Sequence, residues 1–114
     1  MADVNPTLSN SAGIIRTTWT GITSADTATA FTVQGYGGNV AAVQITGTFG
    51  GTTVTLQGSI DGSNYTTLKD IAGSNVSMSA AGLVDFRTAA VYIKPVCTGG
   101  AGYTITVTCV LRGK

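Results

Sequence analysis

A chain of 114 residues fits one domain and leaves no room for a catalytic domain beside a cofactor domain. Only 10% of it is charged, with six Lys and Arg against five Asp and neither His nor Glu, where an average soluble domain carries about 25%. The net charge of +1 is spread over single, separated cations, which argues against nucleic-acid binding, and the lack of histidine excludes Ser-His-Asp and Cys-His catalysis. Sixteen glycines and twenty threonines, with few good helix formers, lean the composition to β structure. A surface of Thr, Ser and Gly with so little charge fits a subunit packed against others as well as one kept soluble by hydroxyl groups alone.

Residues 1–12 read as an extended arm: Asn5-Pro6 disfavours helix, and Ser9-Asn10-Ser11 adds turn formers without periodicity. Such an arm is either loose or laid across a neighbouring subunit, with Val4 and Leu8 as its apolar anchors. Residues 13–114 form the domain. The first strand is Gly13–Thr20, with Ile15, Thr17 and Trp19 on one face, and the phase predicts that Trp19 is buried. The second is Ala30–Gln34, with Phe31 and Val33 together, and Gly35–Asn39 breaks the chain. The third is Val40–Phe49, followed by a tight turn at Gly50-Gly51.

The fourth strand, Thr53–Ile60, alternates Val54, Leu56, Gly58 and Ile60 with Thr53, Thr55, Gln57 and Ser59, the period of a sheet with one buried face. Asp61-Gly62-Ser63-Asn64 is a strong turn, and Tyr65–Leu68 returns to make a hairpin. After a loop at Lys69–Asn75, Val76–Ser79 and Leu83–Thr88 are short strands. Val91–Thr98 contains Pro95, which places that strand at an edge or the proline at a bulge. Gly99–Gly102 turns the chain into Tyr103–Arg112, with Tyr103, Ile105, Val107, Cys109 and Leu111 facing inward. Eight or nine strands at this spacing predict an all-β fold: an antiparallel two-layer β-sandwich, jelly-roll-like, with an extended N-terminal arm.

Reactive chemistry is sparse. The carboxylates are Asp3, Asp26, Asp61, Asp70 and Asp85. A glycosidase pair is conceivable only for Asp70 and Asp85, and a loop position facing a short strand argues against it. Gly35-x-Gly37-Gly38 and Gly99-Gly100-Ala101-Gly102 lack the Gly-Lys-Ser/Thr and the following helix of phosphate loops, and read as turns. The Asp61 loop lacks the later acidic ligands of a calcium loop. Two cysteines without histidine do not make a zinc site. Met1–Asn5 has neither a charged start nor an apolar run, so synthesis in a reducing cytoplasm and buried free thiols at Cys97 and Cys109 are expected. No catalytic, cofactor or metal residues are expected, and the chain reads as not an enzyme. No run approaches the ~20 apolar residues of a membrane span. Trp19, Tyr36, Tyr65, Tyr92 and Tyr103 are the aromatic handles for sugar stacking if exposed.

Two stretches and the opening carry a resemblance. Val43-Gln44-Ile45-Thr46-Gly47-Thr48-Phe49-Gly50-Gly51 runs through Val54-Thr55-Leu56-Gln57-Gly58-Ser59-Ile60-Asp61-Gly62-Ser63-Asn64-Tyr65, and Tyr92-Ile93-Lys94-Pro95-Val96-Cys97-Thr98-Gly99-Gly100 follows later. With Ala2-Asp3 and Asn5-Pro6-Thr7-Leu8-Ser9-Asn10, these resemble small tailed-bacteriophage virion proteins. The resemblance implies a capsid decoration or cement protein on the exterior of the virion, made in the bacterial host cytoplasm. Its implied partners are the major capsid protein and itself, as dimer or trimer, with no nucleic acid, membrane or cofactor. The candidate subunit and capsid interface is Asp3, Val4, Asn5, Pro6 and Leu8, with Ile14 and Arg16. The alternative is a tail or fibre module binding host-surface glycans, which requires exposed aromatics at one rim. A cellular carbohydrate-binding domain would be expected to carry a secretion signal.

Overall fold

The computed structural model describes residues 2–11, 14–33, 41–88 and 90–112. Among them are twelve strands and no helix: β1 (Ala2–Val4), β2 (Thr7–Ser11), β3 (Ile14–Ile22), β4 (Asp26–Ala28), β5 (Phe31–Thr32), β6 (Ala41–Thr48), β7 (Thr53–Ser59), β8 (Thr66–Thr67), β9 (Ser77–Met78), β10 (Gly82–Phe86), β11 (Tyr92–Thr98) and β12 (Thr104–Arg112). The larger antiparallel sheet has the order β10-β6-β12-β3-β2. The facing sheet has the order β5-β11-β7-β8, and β9 also pairs with β7. The break at 35–39, Tyr36, and the outer ends of the second and third expected strands (Gln34 and Val40) lie outside the described residues.

Alternation builds the core. Ile15, Thr17 and Trp19 of β3 and Val107, Cys109 and Leu111 of β12 are buried with Ala41, Val43 and Ile45 of β6. From the facing sheet come Phe31, Val54, Leu56 and Ile93. Trp19 is wholly buried, as its phase predicts, and its indole N–H donates to the Thr29 carbonyl at 2.7 Å, which removes the cost of an unpaired polar atom in the core. β3 then changes phase. Trp19 pairs with Val107 and Ile22 with Ile105, so β3 spends one residue more than β12 over this span. That extra residue makes a bulge, and Gly21, at φ 71°, sits in it. The bulge returns Ile22 to the core.

The expected inward phase of β7 fails at Ile60, which is 78% exposed. Ser59 is buried instead. Its hydroxyl accepts the N–H groups of Asp61 (3.2 Å) and Gly62 (2.9 Å) and donates to Asp61 Oδ1 (2.9 Å). The turn therefore starts one residue early and swings Ile60 outward.

Pro95 lies opposite Leu56 inside β11, which by strand order is flanked on both sides. Leu56 spends its N–H on Val76 and its carbonyl on Leu68, both away from β11. An antiparallel pair with one member turned away is a non-hydrogen-bonded pair, so Pro95 also turns its backbone away from β7. On that side β5 has already ended, because it pairs only with Tyr92 and Ile93. The missing N–H thus faces a locally open edge.

The glycine turns join sheets rather than strands of one sheet. Gly50-Gly51 links β6 to β7 and Gly99–Gly102 links β11 to β12, each crossing from one layer to the other. The two turns pack on one another: Ala101 N–H donates to the Gly50 carbonyl at 3.1 Å, and Thr52 Oγ1 donates to the Thr98 carbonyl at 3.2 Å. A Cβ at Gly100 would stand 2.4 Å from the Thr52 nitrogen, and one at Gly50 would stand 2.2 Å from the Ala101 oxygen. Only glycine allows this approach.

The N-terminal segment is extended, but it belongs to the sandwich rather than projecting from it. β1 pairs in parallel with β4, from Ala2 opposite Asp26 to Val4 opposite Ala28. β2 pairs antiparallel with β3, from Thr7 opposite Thr18 to Ser11 opposite Ile14. The physical reason is the edge of β3: without β2, its unpaired N–H and C=O groups would stand open. The β1–β4 ribbon is a parallel pair in an otherwise antiparallel fold.

Candidate functional site

The seven sequence-chosen interface residues are divided between the β1–β4 ribbon (Asp3, Val4), the link Asn5-Pro6, the edge strand β2 (Leu8) and its neighbour β3 (Ile14, Arg16), and they are not equivalent. Val4 packs against the core, and its carbonyl accepts both the Thr29 N–H (3.0 Å) and the Thr29 hydroxyl (3.3 Å). Asn5 Oδ1 accepts the same hydroxyl at 2.9 Å. These residues hold the segment down on the loop after β4. Pro6 separates β1 from β2. Asp3, Asn5, Leu8 and Arg16 are exposed, and Val4, Pro6 and Ile14 are half-buried. Of the exposed four, Asn5 already spends its side-chain oxygen on Thr29.

β2 itself is an open edge. Among the described residues no strand pairs with its far side. Leu8 lies opposite Thr17, so the two share the core-facing side, yet Leu8 is 52% exposed. Ile15 and Thr17 beside it on β3 are buried, so the half-exposed leucine stands at the rim of the core. The Thr17 hydroxyl beside it is buried and has no hydrogen-bond partner among the described residues. Arg16 and its opposite residue Ser9 occupy the outer face. The result is a five-residue strand free of charge, with a leucine on its inner side.

A second feature is a cleft of about 320 Å³ between β4 and β11, lined by Ile22, Asp26, Lys94, Cys97 and Tyr103 among others. Its polar groups are poor catalysts. Asp26 Oδ2 accepts the Thr23 N–H (2.9 Å) and hydroxyl (2.8 Å). Burial pushes the Cys97 thiol up to about 11, so it is not a thiolate at neutral pH. Burial first, and then the charge that Cys97 takes on once ionised and the Asp26 carboxylate, raise the Tyr103 phenol as well. Cys109 is fully buried, and its thiol is pushed up to about 12. Both cysteines are free. Among the described residues no three metal-ligating side chains come together.

The structure brings Asp70 and Asp85 to one shallow cleft. Asp70 Oδ1 accepts the Ser74 N–H at 2.9 Å, and Asp85 is exposed. The Asp61 loop is a self-satisfied turn. Oδ1 accepts the N–H groups of Asn64 (2.9 Å) and Ser63 (2.8 Å), and Oδ2 accepts the Asn64 amide at 2.8 Å. These bonds hold its carboxyl well below the usual carboxylate range, the Asn64 and Ser63 amides contributing most.

Of the aromatics, Tyr65 and Tyr92 remain half-exposed on the outer face of the smaller sheet, and Tyr103 is buried. Each of the two has one ring face in use: Lys94 Nζ lies 4.2 Å from the Tyr65 ring centre, and Gly62 sits against Tyr92. Sequence reasoning missed a group of exposed aliphatic side chains on the side away from β2: Ile60, Ile71 and Leu83. Leu83 was legible, since it is out of phase with Val84 and Phe86. Ile71, in a loop, carries no period.

These features define an all-β sandwich with one uncharged open edge and no assembled catalytic group among the described residues. No family model matches the chain, and no curated protein matches it. Its fold is similar to that of the SPBc2 prophage-derived protein YomS, at TM-score 0.66 and 15% identity, over 90% of this chain and 97% of that one. That likeness shows the fold, nearly end to end in both chains.

Proposed function

We propose that the protein is a bacteriophage virion structural protein: a capsid decoration or cement subunit that binds the outside of the major capsid lattice and stabilises the head. The observation that carries this reading is the open β2 edge, uncharged and with Leu8 half-exposed on its inner side. Natural sandwiches blunt or cover such edges, so an open one invites an added strand. The sheet's other edge, β10, is partly covered by contacts of Asp70 and Ile71 with Phe86 and Asp85. A five-residue strand buries less area than a stable pairwise interface needs, about 1,000 Å². Many copies on a fixed lattice convert such weak contacts into firm retention. Fold likeness to a prophage-derived protein agrees with a phage origin, and the sequence resemblance adds the capsid role.

The same edge offers a route to self-association, because an uncharged strand pairs with its own copy without opposing like charges. We also read the sandwich as a jelly roll. With β1, β2 and β4 set aside, the layers are β3-β12-β6-β10 and β5-β11-β7-β8/β9, and most connections cross between them. Jelly rolls serve both viral capsid and lectin domains. A second reading, a tail or fibre module for host glycans, rests on Tyr65 and Tyr92 on the outer face of the smaller sheet.

The test is retention on heads. Heads from phage lacking the protein are mixed with the purified chain and sedimented. Wild type cosediments and raises the temperature at which heads release DNA; Leu8→Lys, which places a charge on the edge, is retained at least about ten-fold less. Absence of wild-type binding to heads, together with binding to a glycan array that Tyr92→Ala abolishes, favours the second reading.

A further inference from the structure

On the side of the sandwich away from β2, two clefts adjoin. One, of about 500 Å³, is walled by Ile60, Leu68 and Ala90 with Asn64, Thr66 and Thr67 nearby. The other, of about 430 Å³, is walled by Asp70, Ile71 and Asp85. Lys69 and Arg87 line both, so they stand at the junction. Leu83 extends the second cleft, since it lies two residues before Asp85 on the same strand face. Ile60, Ile71 and Leu83 are 78%, 58% and 61% exposed, a concentration of aliphatic surface that a free domain with this little charge has reason to cover.

The walls are rigid. Ile71 N–H donates to the Asp85 carbonyl at 3.1 Å, and Asp70 forms a bridge with Phe86, which clamps the loop to β10. Within the loop, Asp70 N–H donates to the Ser74 carbonyl (2.7 Å) and Gly73 N–H to the Asp70 carbonyl (3.0 Å). The junction is chemically open. Among the described residues the Arg87 guanidinium makes no hydrogen bond or ion pair, and Asp85, two residues away, does not pair with it. Lys69 Nζ donates to the Asn75 side-chain oxygen, its one partner among the described residues. A planar fork of donors between two aliphatic walls is a seat for a carboxylate.

We propose that this groove docks an extended segment of a partner protein, one carrying a single carboxylate between aliphatic side chains. The carboxylate sits on Arg87 with Lys69 beside it, one aliphatic side chain enters the cleft of Ile60, Leu68 and Ala90, and another lies on Ile71 and Leu83. No aromatic side chain lines either cleft, which separates this surface from a sugar platform and favours a peptide. Asp70 and Asp85 line the Ile71 cleft beside the two cations and disfavour a second acidic residue on that side. The groove and the β2 edge lie on opposite edges of the larger sheet, so this proposal stands whether or not β2 binds a capsid.

The experiment is an ¹⁵N NMR titration of the full chain with an acetylated, amidated heptapeptide bearing one glutamate between two pairs of aliphatic residues. A second peptide replaces the glutamate with glutamine. The proposal expects saturable shifts at the amides of Ile60, Leu68, Ile71 and Arg87, with the glutamate peptide binding about ten-fold more tightly, the worth of a charge-assisted hydrogen bond. Arg87→Gln, at an exposed position outside the core, removes that preference while the amide spectrum elsewhere is unchanged. Equal binding of the two peptides, shifts confined to other surfaces, or no shifts up to about 2 mM peptide, where even a contact worth about 4 kcal/mol registers, overturns it.

Discussion

Replacing Gly100 by alanine tests whether the two inter-sheet turns are locked by backbone contact. Gly100 sits at φ 71°, in the left-handed region that costs a residue with a Cβ about 1–2 kcal/mol. The added carbon would also lie 2.4 Å from the Thr52 nitrogen, 2.7 Å from the Gly51 carbonyl carbon and 2.8 Å from the Thr52 Cα. All three are backbone atoms, so no rotamer change relieves the clash and the two turns must separate. Forcing extra atoms into a packed site costs about 1–3 kcal/mol, so Gly100→Ala should lose about 2–5 kcal/mol in all. Gly99 is the internal control: it has φ 73°, but its Cβ position meets nothing within 4 Å, so Gly99→Ala should lose only the conformational part, about 1–2 kcal/mol. Urea unfolding followed by fluorescence reports both, because the single tryptophan, Trp19, is buried in the native state and its emission shifts on exposure. Each variant should keep the wild-type slope and move only the midpoint. Equal losses at the two positions would refute the packing of one turn on the other.

Thr17→Val should stabilise the protein by about 1 kcal/mol in the same assay, because it removes a buried hydroxyl that has no partner; a loss of stability means that the hydroxyl is bonded after all. The acidity of Asp61 in the folded state lies below its ordinary value. Its contribution is therefore complete above the unfolded carboxylate range of about 4 and is lost as the pH falls below it. Wild type should lose melting temperature more steeply than Asp61→Asn between about pH 4 and pH 2, and parallel curves contradict the assignment. Thiol titration near pH 8 should find Cys109 inert and Cys97 slow in the native protein, with both reacting in denaturant, because burial raises each thiol and Cys109 is fully enclosed. Rapid native labelling of two thiols contradicts the burial.

Much of the architecture was legible because period-two alternation is a local property. The inward sets of the fourth and last expected strands match the buried residues of β7, as far as Leu56, and of β12. Trp19 and the hairpin of β7 with β8 were equally readable. What failed were non-local matters. Sheet membership of successive strands is decided by packing, so glycine turns that look like hairpins cross between layers. β2 was legible only as an extended segment because Thr7-Leu8-Ser9-Asn10-Ser11 has little apolar content, and its pairing is dictated by the exposed backbone of β3. Ile60 was misplaced because the Ser59 hydroxyl ends the strand, a side-chain effect that alternation does not register. Of the candidate interface, Asp3, Leu8 and Arg16 emerged exposed, whereas the Val4 carbonyl and the Asn5 side chain, itself exposed, are engaged with Thr29. The two stretches that carry the family resemblance become neighbours. β7 and β11 pair from Thr53 opposite Thr98 to Ser59 opposite Tyr92, Gly50 and Gly100 lie in turns that pack together, and Tyr92 covers the Asp61 turn at Gly62. The motifs therefore encode β6 of one sheet, the β7–β11 pair of the other and the turns that join the two layers, which explains why they specify a fold more sharply than a reaction.

Reconstruction of intact virions by cryo-electron microscopy tests the capsid role most directly. The account predicts density fitted by this sandwich on the outer surface of the head, repeated with the capsid lattice, with β2 against a neighbouring chain. Density confined to the tail, or heads of full composition that lack the chain, would contradict it.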